Sequence, residues 1–119
     1  QETPLHVEAF NEVARYPKTR EIELAANLSW NGQDKKIQGR GNGPINAFCN
    51  GLDEDGLKHF NLVSFSEHSI GIGSGTKAAA YVQIQKYNAG LYWGIGIDND
   101  IELASLKALV SAINRSETT

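Results

Sequence analysis

The chain has 119 residues, about the length of one domain, with 40% hydrophobic residues, 21% charged residues and a net charge of −3. This balance is typical of a soluble globular domain, and it disfavours nucleic-acid binding, which uses clustered positive charge. No apolar run approaches the roughly 20 residues of a membrane span, so we expect no membrane insertion. A single cysteine, Cys49, excludes an internal disulfide and a multi-cysteine metal site, which favours a cytoplasmic location.

Residues 5–40 predict three strands. Apolar and polar residues alternate weakly in "LHVEAFNEVARY" and clearly in "REIELAANLSW", and Pro17 separates the two stretches. The dipeptide Asn31–Gly32 tolerates the positive φ angles of a tight hairpin, so a return strand is predicted from about Lys35 to Arg40.

A helix is predicted after "GRGNG", because the apolar residues that follow change to helical spacing. That face consists of Ile45, Phe48, Cys49 and Leu52. Pro44 suits the first helical turn, Asn42 or Gly43 can serve as the cap, and Gly56 is placed to end the helix.

The second half predicts the same order of elements. Strands are expected from Phe60 to Ser66, from Lys77 in "KAAAYVQIQKY", and in "LYWGIGI" after a turn at 88–90. Asn99 and Glu102 have the spacing of a capping box at the start of a final helix. The apolar face of this helix is marked by Ile101, Ala104, Ala108, Leu109, Ala112 and Ile113.

The repeated plan predicts the fold. We expect one α+β domain, residues 1–119, built from two pseudo-repeated β-β-β-α units at about 1–58 and 59–119. Each unit would have a short antiparallel sheet and one helix. Because the chain contains no methionine, we also expect it to be a fragment of a longer protein.

Each half has a G-x-G element between its last strand and its helix, Gly39–Gly41 and Gly94–Gly96. Such turns bind phosphate in nucleotide folds, but neither continues as G-x-G-x-x-G and neither is followed by a parallel strand. Two roles for these glycines stay open. They permit tight turns and close packing of helix on strand, or the helix N-terminus that follows them holds a small carboxylate.

The stretch "EHSIGIGSGTK" at 67–77 has features of a phosphate loop and of a catalytic pair. Lys77 does not follow the last glycine directly and a strand comes next, so the P-loop pattern fails. Glu67 and His68 are adjacent, and on a strand they would point to opposite faces. Cys49 lies on a buried helix face, where a thiol is a poor nucleophile. The histidines, at 6, 59 and 68, lack metal-binding spacing.

Three segments, "GRGNGPINAF", "EHSIGIGSGTKAAAYVQI" and "WGIGIDNDIELASLKALVSAINR", occur in this order. Together they resemble the C-terminal regulatory domain of 2-isopropylmalate synthases, in the long-chain branch of that family. The resemblance implies a domain that dimerises and binds L-leucine, and so inhibits a TIM barrel in the same parent chain. That barrel would condense acetyl-CoA with 2-oxoisovalerate and hold a divalent metal. Catalytic residues and cofactors would then be absent from this domain.

Two alternatives to leucine sensing remain. One is an isoleucine-sensing domain, because the related citramalate synthases carry a comparable domain that senses isoleucine. The other is a structural dimerisation module that has lost its effector site.

The resemblance also implies which residues contact leucine. Leucine would lie at the start of the first helix, Asn42, Gly43, Pro44 and Ile45, where the backbone N–H groups of residues other than proline would bind its carboxylate. Asp98 or Asp100 could pair with the ammonium group, although capping of the second helix is the favoured role of these carboxylates. The other residues at matching pocket positions are Leu62, Phe65, Ser69, Thr76, Ala78, Ala79 and Ile97.

Overall fold

The computed structural model describes residues 4–71 and 75–118. Its elements follow the order β-β-β-α twice, which confirms the predicted α+β fold with two antiparallel three-stranded sheets. The chain divides into two compact units, Gln1–Lys58 and His59–Thr119. The elements are β1 (Leu5–Tyr16), β2 (Glu21–Trp30), β3 (Gln33–Gly41), α1 (Pro44–Glu54), β4 (Phe60–Ile70), β5 (Lys77–Lys86), β6 (Leu91–Asp98) and α2 (Ile101–Thr118).

The first sheet has the order β1-β2-β3. Its register is set by the two-residue turn at Asn31 and Gly32, whose φ angles of 50° and 85° are those the dipeptide favours. The alternation predicted for β2 is confirmed, since every second side chain is buried under α1. These buried residues are Ile22, Leu24, Ala26 and Leu28.

Helix α1 lies directly against the backbone of β3. A Cβ added at Gly39 would be 2.0 Å from the carbonyl oxygen of Ala47, and one at Gly41 would be 2.7 Å from the Ala47 nitrogen. No real side chain tolerates such distances, so only glycine lets the helix approach this closely. The first G-x-G element is therefore a helix-packing site.

Both ends of α1 follow from local sequence. Gly43 is the N-cap residue and Pro44 begins the helix. At the other end, Gly56 has a φ of 73° and its N–H donates to the Asp53 carbonyl at 3.1 Å, while the Leu57 N–H donates to the Leu52 carbonyl at 2.8 Å. This pair of bonds is a Schellman motif, so Gly56 ends the helix as predicted.

The second unit repeats this packing. Its sheet has the order β4-β5-β6, and a Cβ at Gly94 would lie 2.0 Å from the carbonyl oxygen of Ala108 in α2. A Cβ at Gly96 would lie 2.2 Å from the carbonyl oxygen of Ala104. The second G-x-G element is thus also a helix-packing site.

Three boundaries or faces differ from the sequence predictions. Strand β4 continues past Ser66 to Ile70, because residues 67–70 pair with β5 even though both of their faces are exposed. Ile101, expected on the buried face of α2, is 41% exposed. The N-cap of α2 is Asp100 rather than Asn99, since the Glu102 N–H donates to Asp100 Oδ1.

We predict that Gly94→Ala destabilises the domain by about 2–3 kcal/mol or more, because the new methyl group forces α2 away from β6. Gly90→Ala is the matched control. A Cβ at Gly90 meets nothing within 4 Å, so the change should stay within about 0.5 kcal/mol. Urea unfolding of both variants measures the difference, and equal stabilities would show that close packing at Gly94 is unimportant.

Candidate functional site

The N-terminus of α1 presents backbone N–H groups without a side-chain cap. Gly43 has no side chain to offer, and no acidic residue lies in the first turn of this helix as described. The first helical hydrogen bond runs from the Ala47 N–H to the Gly43 carbonyl at 2.9 Å, so the N–H groups of Ile45 and Asn46 precede it. Open space surrounds Gly43, because an added Cβ would meet nothing within 4 Å. A carboxylate placed there would meet free donors and the positive end of the helix dipole.

The predicted residues around this helix start have different environments. Ile45 is buried, Pro44 is half-buried, and Asn42 is exposed. The side chain of Asn42 accepts a hydrogen bond from the Asn46 amide instead of capping the helix.

The N-terminus of α2 is closed by its own carboxylates. Asp100 Oδ1 accepts from the Glu102 N–H at 2.8 Å, and Asp98 Oδ1 accepts from the Asp100 N–H at 2.9 Å. Lys107 Nζ lies 2.8 Å from Asp98 Oδ2. The hydrogen bond from the Asp100 backbone, with that from Lys107, lowers the pKa of Asp98. Asp100 therefore takes the capping role that the sequence analysis favoured, and Asp98 holds the backbone of this cap residue.

The predicted residues on the second sheet do not share one face. Ser69 pairs with Ala78, and Ala78 pairs with Asp98, in one row across the strands. The next row contains Ala79 and Ile97, whose side chains point to the opposite side because successive residues of a strand alternate. The two rows therefore line different surfaces of the sheet.

Exposure also separates the predicted residues. Ala78 and Ala79 are buried, and Leu62 is half-buried. Phe65 and Ile97 are 42% and 48% exposed. Ser69 and Thr76 are exposed as well.

Glu67 and His68 point to opposite faces of β4, as expected for neighbours on a strand. Glu67 Oε2 accepts from the buried Ser105 hydroxyl of α2 at 2.8 Å. The His68 ring meets the Tyr81 ring edge-on, with centroids 5.8 Å apart. Neither contact is a catalytic dyad.

Cys49 and the glycine loop complete the list of sequence candidates. Burial raises the pKa of the Cys49 thiol to about 11, which leaves little thiolate for nucleophilic chemistry at neutral pH. The predicted glycine loop between β4 and β5 includes residues 72–74, which lie outside the described residues.

The face of the first sheet away from α1 carries a polar network that the sequence analysis did not identify. Tyr16 donates to Glu23 at 2.8 Å, and the Gln38 amide also donates to Glu23. Arg40 pairs with Glu21 at 2.9 Å and stacks 3.6 Å above the Tyr16 ring. These hydrogen bonds lower the pKa of Glu23 and raise the pKa of Tyr16. The hairpin register places Glu23 directly opposite Arg40. The closeness of these two opposite charges was therefore detectable in the sequence.

The rest of the described surface adds no cluster of metal ligands, and one of its cavities is lined by residues other than the predicted leucine contacts. Among residues 4–71 and 75–118, no three His, Cys, Asp or Glu side chains cluster as metal ligands do. No helix in that part of the chain is both long and apolar enough to cross a bilayer. One surface cavity of about 440 Å³ is lined by Asn61, Gln85, Lys86, Tyr87 and Asn88, none of which is a predicted leucine contact.

Comparison with known families decides the affiliation. The model of the LeuA allosteric (dimerisation) domain matches residues 3–117. The chain belongs to this family. The domain is 43% identical over 96 residues to 2-isopropylmalate synthase of Clostridium acetobutylicum and 44% identical over 104 residues to that of Schizosaccharomyces pombe. It is 39% identical over 94 residues to the 2-isopropylmalate synthase of Thermobifida fusca.

These alignments also define how much of each relative the domain represents. They cover 81%, 84% and 79% of this chain, but only 17%, 18% and 16% of the three relatives. The predicted relationship is therefore confirmed. The chain corresponds to the regulatory, dimerising segment of these transferases rather than to a whole enzyme.

Asp98 generates a pH prediction. A carboxylate whose pKa is lowered in the folded state stabilises that state above its unfolded pKa, and the effect is lost as the pH falls through the folded pKa. Asp98→Asn should therefore lower the melting temperature more at pH 7 than at a strongly acidic pH, where the carboxyl group of Asp98 is protonated in the folded protein. The control is Asp34→Asn, at an exposed position of β3, for which no comparable pH-dependent loss is expected. A loss in Asp98→Asn that is equal at both pH values would contradict the assignment.

Proposed function

We propose that the domain is the leucine-sensing part of a 2-isopropylmalate synthase and that bound L-leucine inhibits the catalytic barrel of the longer parent chain. The observation that carries this proposal is the difference between the two helix starts. α1 begins without a side-chain cap and with space on the Cβ side of Gly43, whereas α2 is capped by Asp100, which Asp98 holds in place. The family match and the names of the relatives support leucine rather than another effector.

The ligand's carboxylate fits the start of α1. Charge-assisted hydrogen bonds from the N–H groups of Ile45 and Asn46 would stabilise a carboxylate at Gly43, and the helix dipole adds to that attraction. No acidic residue lies in the described first turn, so no carboxylate of that turn competes for these donors. Asn42 and Pro44 flank the same position.

The rest of a zwitterionic ligand requires an apolar surface and an acceptor. Leucine's isobutyl group needs apolar neighbours with enough space, and its ammonium group needs an oxygen. Asp98 and Asp100 are engaged in capping, so we assign them to the ammonium group only as secondary contacts. The sequence prediction also assigns contacts to Ile45, Leu62, Phe65, Ser69, Thr76, Ala78, Ala79 and Ile97. Because Ala78 and Ala79 point to opposite faces of β5, a single pocket can use only one of these two rows.

Feedback inhibition needs two further features of the parent protein. Leucine must bind two states of the enzyme with different affinities, because only differential affinity shifts an equilibrium. We propose that these states differ in how a homodimer of this domain acts on the catalytic barrels. Condensation of acetyl-CoA with 2-oxoisovalerate and the divalent metal would belong to that barrel, in the cytoplasm.

Thermal unfolding in the presence of ligands tests the sensing function. L-leucine at about 100 times its dissociation constant should stabilise the domain by roughly 2.7 kcal/mol and raise the melting temperature by several degrees. D-leucine and glycine at the same concentrations are the controls. A larger shift with L-isoleucine would favour the citramalate synthase alternative, and no shift with either would favour a structural module.

A substitution at Gly43 tests the proposed carboxylate position. Asp is a preferred N-cap residue and its side chain has space here, so Gly43→Asp should fold normally while its carboxylate occupies the free N–H groups. We expect leucine affinity to fall roughly 10- to 100-fold, because hydrogen bonds to a charged group contribute about 1.5–3 kcal/mol.

Gly43→Ala is the matched control, since it adds a Cβ at the same open position without an oxygen and should retain leucine affinity. Isothermal titration calorimetry of both variants gives the comparison. Wild-type affinity in Gly43→Asp would show that leucine binds elsewhere.

A further inference from the structure

The dipeptide Asn–Gly occurs at 31–32, 42–43 and 50–51. In this dipeptide the asparagine side chain converts readily to a carboxylate, because glycine has no Cβ to hinder the attack of its backbone nitrogen on the side-chain amide. The reaction needs no enzyme. The structure places the three dipeptides in different backbone environments, so it predicts which of them reacts.

The reaction closes a succinimide ring and then opens it with water. The glycine N–H gives its proton to hydroxide, the nitrogen bonds to Cγ of the asparagine, and the side-chain amide leaves as ammonia. Water cleaves the ring at the side-chain carbonyl to give aspartate, or at the main-chain carbonyl to give isoaspartate, and either product has a new carboxylate. The ring closes only when Cβ and the glycine nitrogen are nearly eclipsed about the Cα–C bond, so a backbone held at another torsion angle resists the reaction.

The dipeptide at 50–51 is protected inside α1. The Asn50 side chain donates to the Arg40 carbonyl at 2.7 Å, and Gly51 is buried. A Cβ added at Gly51 would lie only 3.3 Å from the backbone nitrogen of Gly39 in β3. Ring closure here would break helical hydrogen bonds and disturb the packing of α1 on β3.

The dipeptide at 31–32 is protected by its turn. Asn31 has a φ of 50°, the left-handed conformation, in which Cβ and the next backbone nitrogen lie nearly opposite each other about the Cα–C bond. The Asn31 N–H also donates to the Pro4 carbonyl at 2.8 Å, and the pair of Trp30 with Gln33 closes the hairpin. Rotation into the reactive geometry would therefore open the turn.

The dipeptide at 42–43 lies between two elements. The pairing of β3 with β2 ends at Gly41, and α1 begins at Pro44. The Gly43 N–H makes no hydrogen bond within residues 4–71 and 75–118. A Cβ added at Gly43 would meet nothing within 4 Å, so a closing ring has space on this side. The Cα–C bond of Asn42 can therefore rotate without opening a strand pair or a helical turn.

The side chain of Asn42 is also placed to react. It is exposed, and its Oδ1 accepts a hydrogen bond from the Asn46 amide. Attack at Cγ puts negative charge on this oxygen, and a donor directed at the oxygen stabilises that charge.

We propose that Asn42 is a site of spontaneous deamidation and that the carboxylate formed there weakens the response to leucine. The second part rests on the proposed function, in which the start of α1 binds the ligand's carboxylate. The new carboxylate would lie one residue before the N-cap Gly43, where the helix dipole attracts it and where it repels a second anion. Leucine sensing would then decline as each protein molecule ages.

Peptide mass spectrometry after incubation in mildly alkaline, isotopically labelled water tests the modification. Asn42 should convert, with uptake of labelled oxygen, at least about fivefold faster than Asn31 and Asn50, because opening even one structural hydrogen bond slows a reaction by about this factor. Gly43→Ala should slow conversion at Asn42 alone, since the added Cβ hinders the nitrogen and has space in the fold.

Unfolding the chain in urea is the control for this selectivity. The three rates should become similar there, because glycine follows each asparagine and only the folded backbone separates them. Conversion in the folded chain that is as fast at Asn31 or Asn50 as at Asn42 would overturn the proposal. So would a lead of Asn42 that persists unchanged in urea.

Calorimetric titration with L-leucine tests the consequence. Asn42→Asp should lower leucine affinity about fivefold or more, the effect of two like charges about 4 Å apart in water. Asn31→Asp is the matched control, because it adds the same charge at the other end of β3, roughly 25–30 Å from Gly41. Salt screens a charge at that distance, so leucine affinity should not change. Wild-type affinity in a folded Asn42→Asp variant would overturn the regulatory part.

The two parts fail separately. A freshly prepared chain that ignores leucine but converts at Asn42 would sustain the modification site and overturn the sensing function. A chain that responds to leucine and keeps Asn42 intact would do the reverse.

Discussion

The contact on which each unit depends is between two backbones. Gly39 and Gly94 bring a strand within a distance of a helix that no side chain could occupy, as the 2.0 Å from an added Cβ to a helix carbonyl oxygen shows in both cases. This closeness buries the helix on the third strand and leaves the first strand of each sheet largely exposed. Each helix also starts within a few residues of the end of the strand on which it packs. The sheet therefore fixes the position of the helix N-terminus.

The two units use that shared geometry differently. In the first, the helix begins at Gly43 and Pro44 without a side-chain cap. In the second, Asp100 accepts from the Glu102 N–H, and Asp98 in turn accepts from the Asp100 N–H. The open faces of the sheets differ as well. The first carries a hydrogen-bond network around Glu23, whereas on the second Trp93 and Ile95 of β6 are each about half exposed. The two units thus share one plan but differ at the start of the helix and on the open face of the sheet.

Most of the sequence predictions that the structure confirms rest on a local or periodic signal. The alternation in β2, the Asn31–Gly32 turn, the buried face of α1 and the stop at Gly56 each depend on residues close together in the chain. The sequence prediction ends β4 at Ser66, because residues 67–70 are exposed on both faces and show no alternation of apolar and polar side chains. Only their pairing with β5 makes these residues part of the strand. The cap of α2 was misplaced by one residue because Asn99 and Asp100 are both good N-cap residues.

Residue types and their spacing were enough to establish the order of elements, the repeat and the resemblance to a regulatory domain. They left the role of the G-x-G elements open, and the folded structure assigns these glycines to helix packing because the choice depends on a distance between segments. Three further features became visible only in three dimensions: the separation of Ala78 from Ala79 on opposite faces, the hydrogen bond from the Asp100 N–H to Asp98, and the exposure of Trp93 on β6. Each depends on which neighbours surround a side chain, and strand pairing and helix packing determine those neighbours.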